Sequence, residues 1–146
     1  MNTSRRRRPA QAGVTLIEML VVVTIIALFA GLVGLRMWKQ ADKARTTAAR
    51  AQINTFMTAL NTYKMDTGVF PTSEQGLQAL RTAPQGVNNW QGPYLERELP
   101  LDPWSRPYIY HYPSEQGDEP EIISYGADGQ PGGSGGDADI VSWKSQ

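Results

Sequence analysis

The sequence predicts an α+β fold, in which one long N-terminal helix packs on a small antiparallel sheet. Residues 14–65 contain no proline, and residues 35–65 contain no glycine, so a single helix can run through them. At roughly 50 residues it would measure ~75 Å, which is longer than a compact domain needs and typical of a fibre core. Three short runs of β-branched and aromatic residues follow at 108–112, 121–125 and 140–143, which predicts three strands joined by turns.

The first part of this helix is an apolar run from Val14 to Leu35 that contains one charged residue, Glu18. A helix with ~1.5 Å rise per residue would cover roughly 33 Å over this run, about the hydrocarbon thickness of a bilayer. Four consecutive arginines at 5–8 precede the run, so the positive-inside rule keeps the N-terminus cytoplasmic. We therefore predict a single-pass membrane segment followed by an exported domain.

Glu18 is unfavourable at this position, since a carboxylate inside a membrane helix costs ~2.5–3.5 kcal/mol on insertion scales. Such a charge indicates a function and a positively charged partner. Cleavage between Gly13 and Val14 would keep the anchor and create an α-amino group at Val14 that suits this carboxylate. A plain signal anchor with a chance acidic residue is one alternative. A cleaved secretory signal is another, although no small-x-small site closes the run cleanly.

The second part of the helix, residues 36–65, is amphipathic and rich in the helix formers Ala, Lys, Arg and Gln. Its large apolar residues recur at spacings of three and four, which places them on one helix face. We expect the C-terminal domain, residues 66–146, to pack on this face, whose members are Ile53, Phe56, Met57, Leu60 and Tyr63.

A glycine-rich segment with three aspartates, residues 126–139, separates the last two predicted strands. Its six glycines and one proline make it costly to order by packing alone. Asp128, Asp137 and Asp139 supply the oxygen donors that calcium prefers, although their spacing is not that of an EF-hand. The residues alone leave two interpretations open, a calcium site and an acidic solvated turn.

Composition argues against several classes of function. Without residues 1–13 the chain has 10 Lys and Arg against 14 Asp and Glu, a balance of −4, so we expect no nucleic-acid partner. There is no cysteine, so no disulfide can stabilise the small domain. His111 is the only histidine and stands in a predicted strand, and no nucleophile elbow or phosphate loop is present. We predict that the protein is not an enzyme.

The N-terminal motif carries a family resemblance. A basic leader ending in Gly13, then Val14, Thr15-Leu16 and Glu18 in a long apolar run, resembles the class III signal of type IV pilins and pseudopilins. The usual first mature residue of that family is phenylalanine, and this chain has Val14. The resemblance implies that a prepilin peptidase in the membrane cuts between Gly13 and Val14 and methylates Val14. It also implies that Glu18 meets the new N-terminus of a neighbouring subunit.

Later motifs are similar to the major pseudopilins of type II secretion systems; they lie at 63–66, 70–72, 74–80, 92–95, 99–100 and 102–104, with Tyr108. This resemblance implies a pilin-like fold and a structural subunit that polymerises into the pseudopilus fibre. It also implies minor pseudopilins and an inner-membrane assembly platform as partners. The alternative is a type IV pilus subunit for adhesion, motility or DNA uptake, which would usually carry a C-terminal cysteine pair.

The same resemblance implies a calcium ion in the glycine-rich segment. Its ligands would be the carboxylates of Asp128, Asp137 and Asp139 together with backbone carbonyls of Tyr125, Gln130 and Ser134. The predicted organisation is then a cleaved leader (1–13), a transmembrane half-helix in the inner membrane (14–35), an amphipathic half-helix (36–65) and a periplasmic domain (66–146).

Overall fold

The computed structural model describes residues 13–115 and 117–144, and it describes their side chains except those of residues 33–39. Residues 1–12 of the predicted leader, with the arginine block, lie outside the described residues. The chain forms two compact units, Met1–Lys39 and Gln40–Gln146.

The predicted long helix is confirmed as α1, which comprises Leu16–Thr67 over 52 residues. Helix formers fill its second half, and no proline interrupts it. It ends where the sequence indicates, because Gly68 takes a positive φ of 86° and donates its N–H to the Lys64 carbonyl at 2.8 Å. Pro71 follows closely and prevents the helix from resuming.

The run 71–80 predicts a turn into a short helix, with Thr72 or Ser73 as its N-cap. The short helix is present as the 3-10 helix Leu77–Leu80, but its N-cap is Gly76, with a φ of 58°, rather than Thr72 or Ser73. Thr72 does cap a turn here: Gln75 donates its N–H to Thr72 Oγ1 at 3.3 Å, and Gln75 Oε1 accepts the Thr72 N–H at 2.9 Å.

The three predicted strands are present, each shorter than its sequence run: β1 (Ile109–His111), β2 (Glu121–Ser124) and β3 (Ile140–Val141). They form one antiparallel sheet in the order β1-β2-β3. Tyr110 pairs with Ile122 in the first ladder, and Ser124 pairs with Ile140 in the second. β2 is therefore the central strand, and it leads directly into the glycine-rich segment.

The core of the Gln40–Gln146 unit lies on the predicted face of α1. Ile53, Phe56, Leu60 and Tyr63 are fully buried, and Met57 is half-buried. They pack with side chains from the sheet and the 3-10 helix, which include Leu77, Leu80, Tyr110, Ile122 and Ile140. Burial of apolar surface, worth ~25 cal/mol per Å², is the main stabilising term of such a core.

Candidate functional site

The start of α1 is capped by Thr15. Its hydroxyl oxygen accepts the N–H of Glu18 at 3.3 Å, and its carbonyl accepts the N–H of Met19 at 3.2 Å. Thr15 and Glu18 stand in the spacing of a capping box, and a carboxylate in the first turn also suits the helix dipole. Sequence reasoning missed this role of Thr15, although a threonine three residues before a glutamate was the available signal. The cap fixes where the helix begins relative to Val14 and Glu18.

The first turns of α1 expose apolar side chains around the whole helix. Their exposed fractions run from 45% at Val22 to 85% at Leu16. A helix that is apolar on every side requires lipid or other helices around it. These exposed side chains are Val14, Leu16, Ile17, Met19, Leu20, Val21, Val22, Val23, Ile25, Ile26, Leu28, Phe29 and Leu32.

Within the residues that the structure describes, no helix combines the length and the apolarity required to cross a membrane. The predicted span 14–35 runs on into residues 33–35, whose side chains lie outside the described set.

The first turn of the glycine-rich segment is held by its own hydrogen bonds. Gly129 donates its N–H to the Tyr125 carbonyl at 3.0 Å, and Gln130 donates its N–H to Asp128 Oδ1 at 3.1 Å. The side chains of Asp128 and Gln130 are exposed. Residues 125–130 therefore form a compact turn in which one predicted carboxylate ligand already accepts a backbone hydrogen bond.

The second half of the segment folds around Asp139. Asp139 Oδ2 accepts the Gly132 N–H at 2.8 Å, while the Asp139 N–H bonds to the Gly132 carbonyl at 3.2 Å. The other oxygen, Asp139 Oδ1, is buried and has no hydrogen-bond partner among the described atoms. A buried carboxylate oxygen without a donor is unfavourable in water-free surroundings, so it fits a position that a cation would occupy.

The remaining predicted ligands are arranged less tightly. Asp137 is exposed and donates its N–H to the Ser134 carbonyl at 3.3 Å within the short 3-10 helix Gly135–Asp137. The structure does not gather three acidic, histidine or cysteine side chains into a metal-holding cluster anywhere in the described ranges. Of the three aspartates, Asp139 is the one with a buried carboxylate oxygen that has no hydrogen-bond partner among the described atoms.

Close backbone contacts shape this segment. Gly126 has a φ of 57°, and a Cβ added to it would lie 2.8 Å from the Ala138 carbonyl oxygen. A Cβ on Gly133 would collide with the Asp137 carbonyl oxygen. These two glycines allow the start and the middle of the segment to approach its end, which any other residue would prevent.

Asp102, which the sequence indicated only as part of a motif, is a buried carboxylate that bonds to the strand leading into this segment. Asp102 is 4% exposed, and its carboxylate accepts the N–H groups of Trp104 at 3.0 Å and Arg106 at 2.8 Å. It also accepts the hydroxyl hydrogen of Ser124, the last residue of β2, at 2.6 Å. An aspartate two residues before a bonded N–H is the signature of an Asx turn, which could have indicated the local part of this network.

The chain matches known proteins over nearly its whole length. Residues 36–143 match the family model described as type II secretion system protein G, and residues 8–34 match the prokaryotic N-terminal methylation motif. Similar proteins named type II secretion system core protein G come from Pseudomonas aeruginosa, with 41% identity over 94% of this chain and 98% of that protein, and from Vibrio cholerae, with 40% identity over 93% and 94%. A third, from Xanthomonas campestris, is 37% identical over 91% of this chain and 90% of its own length.

A solved structure is similar as well. The crystal structure of the major pseudopilin from the type 2 secretion system of enterohaemorrhagic Escherichia coli aligns with a TM-score of 0.59 at 31% identity. The alignment covers 71% of this chain and 90% of that chain.

Proposed function

Because the chain belongs to the type II secretion system protein G family, the major pseudopilins, we propose that it is cut after Gly13 and assembles through its exposed apolar helix. The protein is a structural subunit of the pseudopilus in type II secretion. As a fibre subunit it drives export of folded proteins across the outer membrane and catalyses no reaction itself. The match over residues 36–143 favours this role over that of a type IV pilus subunit.

The observation that carries the assembly proposal is the apolar surface of residues 14–32, which is exposed on every side. Lipid would cover it in the monomer, and equivalent helices of other subunits would cover it in the fibre. In this proposal the unassembled monomer resides in the inner membrane, and its C-terminal domain lies in the periplasm. The prepilin peptidase, the inner-membrane assembly platform and the minor pseudopilins are the partners that this route requires.

In this proposal Glu18 determines the axial register between neighbouring subunits. It is the one charge between Val14 and Leu35, and the Thr15 cap holds its backbone in the first turn of α1. Cleavage would place an ammonium group at Val14, and a second subunit shifted along the axis would bring its own ammonium to Glu18. An ion pair in a low-dielectric environment is much stronger than in water, and breaking it leaves an uncompensated charge.

The test compares Glu18→Ala with Thr24→Val. Both remove a polar group from the same apolar run, but the hydrogen bond that the described structure shows for the Thr24 hydroxyl is to the Leu20 carbonyl of its own helix, at 2.7 Å. Both variants should insert, as measured by membrane fractionation. Glu18→Ala should abolish fibres in electron micrographs and abolish secretion, whereas Thr24→Val should preserve both. Normal fibres and secretion with Glu18→Ala would refute the register role.

We also propose a structural calcium site in residues 125–139. The buried, unpaired Asp139 Oδ1 supports it, as does the concentration of carboxylate and carbonyl oxygens in a segment that glycine makes costly to order. Asp128, Asp137 and Asp139 would supply carboxylates, and Tyr125, Gln130 and Ser134 would supply carbonyls. These oxygens would coordinate the bound ion, which would stabilise the folded segment because the unfolded chain holds no such site.

Thermal unfolding of the full chain in detergent, with calcium or with a chelator, tests the site. A ligand at ~100 times its Kd stabilises by ~2.7 kcal/mol, which raises the Tm of a domain of about 100 residues by roughly 10 °C or more. Asp139→Ala should remove this response, whereas Asp118→Ala, which removes an exposed acid outside the segment, should retain it. An unchanged wild-type Tm would refute the calcium site.

A further inference from the structure

Arg106 reaches from the turn after Asp102 to the first two residues of the glycine-rich segment. Its guanidinium donates from Nη1 to the Gly126 carbonyl at 2.6 Å and from Nη2 to the Ala127 carbonyl at 3.1 Å. It also passes close to Gly129, since a Cβ added there would be 2.5 Å from Arg106 Cζ. One cationic side chain thus contacts three of the four residues of the turn 126–129.

The backbone of Arg106 is itself fixed on both sides. Its N–H bonds to Asp102 Oδ1 at 2.8 Å, and its carbonyl accepts the Asp102 N–H at 2.7 Å. The second oxygen of Asp102 accepts the hydroxyl of Ser124, which is 1% exposed and ends β2 just before the segment. The guanidinium therefore extends from a hydrogen-bonded turn that is tied, through Asp102 and Ser124, to the strand that leads into the segment.

We propose that Arg106 is a positioning residue for the calcium segment, which holds the turn 126–129 in its folded conformation before any metal binds. This inference rests on the calcium site proposed above. With the first turn already ordered, binding has to order only the remainder of the segment, so less conformational entropy opposes it. The Gly126 and Ala127 carbonyls, which bond to the guanidinium, are not among the proposed calcium ligands.

The direction in which calcium affinity changes when Arg106 is replaced distinguishes positioning from a purely electrostatic effect. A positive charge near a cation site repels the cation, so an Arg106 that acted only through its charge would weaken binding, and its removal would tighten it. A positioning Arg106 has the opposite consequence, because removing it loosens the turn. Arg106→Lys is informative here, since lysine keeps the charge but lacks the planar fork that bonds two carbonyls at once.

The chain contains a matched control. Arg81 Nη1 donates to the carbonyls of Leu95 and Glu96 at 2.7 and 3.1 Å, so it also bridges two successive carbonyls. Its segment contains none of the proposed calcium ligands. Substitution of Arg81 therefore removes the same kind of interaction and reports the general loss of stability.

The experiment measures calcium affinity by calorimetry on the full chain in detergent, and amide exchange of Gly129 in chelator. Gly129 is the probe because its N–H bonds to the Tyr125 carbonyl inside the turn. Arg106→Lys and Arg106→Ala should raise the calcium Kd about tenfold, which is ~1.4 kcal/mol, and should accelerate exchange at Gly129. Arg81→Lys and Arg81→Ala should leave both unchanged.

An unchanged or lower Kd in the Arg106 variants, with wild type binding calcium, would overturn the inference. If wild type bound no calcium, the proposed metal site would fail, and the exchange measurement alone would decide the positioning role. In that case faster exchange at Gly129 in Arg106→Ala than in Arg81→Ala supports the role, and equal exchange refutes it.

Discussion

Replacing Asp102 tests how strongly its buried carboxylate stabilises the C-terminal domain. Its carboxylate accepts three hydrogen bonds at 2.6–3.0 Å while being 4% exposed. Asp102→Ala leaves two backbone N–H groups and the buried Ser124 hydroxyl without their acceptor. Each buried donor left unpaired costs ~1–3 kcal/mol. The Ser124 hydroxyl can rotate, so we count mainly the two N–H groups and expect a loss of about 2–6 kcal/mol, a large part of the ~5–15 kcal/mol typical of a folded domain.

Asp102→Asn should be much milder. An asparagine retains an oxygen acceptor in the same place, so the loss is the difference between charged and neutral acceptors, about 1–2 kcal/mol. The exposed acid Asp118 is the control, since its replacement by alanine should change stability by less than ~0.5 kcal/mol. Urea unfolding of the full chain in detergent, followed by tryptophan fluorescence, gives all three values. A loss below ~1 kcal/mol for Asp102→Ala would refute the reasoning.

Two further predictions concern a glycine and a tyrosine. Gly126→Ala should lower the free energy of unfolding by about 2–4 kcal/mol, because alanine is strained at a φ of 57° and its Cβ would lie 2.8 Å from the Ala138 oxygen. The control is Gly86→Ala, at a φ of 77° with open space around it, which should lower it by only ~1 kcal/mol in the same urea assay. Equal losses in the two variants would contradict the close contact. Burial, and secondarily the charge of Asp102, raise the pKa of Tyr108 to about 12. Since the folded state then holds this proton more tightly than the unfolded chain, the free energy of unfolding should fall as pH rises from about 10 to about 12. Tyr108→Phe should lose less stability than wild type over that window, and an identical loss would contradict the assignment.

The sequence predicted the elements that depend on local residue preferences or on the periodic spacing of apolar residues. Helix formers without proline predict α1, and spacings of three and four predict the face made by Ile53, Phe56 and Leu60, which is fully buried. The three strands follow from β-branched and aromatic runs, but only their central residues pair, because the ladders extend over at most three residue pairs. The short helix after Pro71 is present as the 3-10 helix Leu77–Leu80, but its N-cap is Gly76 rather than Thr72 or Ser73.

The long-range part of the network around Asp102 could not be predicted from sequence. Ser124 and Arg106 are ordinary residues in isolation, and the bonds from Ser124 to Asp102 and from Arg106 to Gly126 join positions about twenty residues apart. The glycine-rich segment is hard to predict for another reason: glycine allows so many backbone conformations that spacing alone does not determine which oxygens converge. Only the structure distinguishes Asp139, with its buried free oxygen, from the exposed Asp128 and Asp137.

The central claim is that the working subunit begins at Val14, so that Glu18 meets the N-terminus of another copy. Intact-mass measurement of protein extracted from fibre-forming cells, with fragmentation of its N-terminus, tests this directly. We predict the mass of residues 14–146 plus one methyl group on Val14. A protein that retained its arginine block while still assembling and supporting secretion would contradict the account.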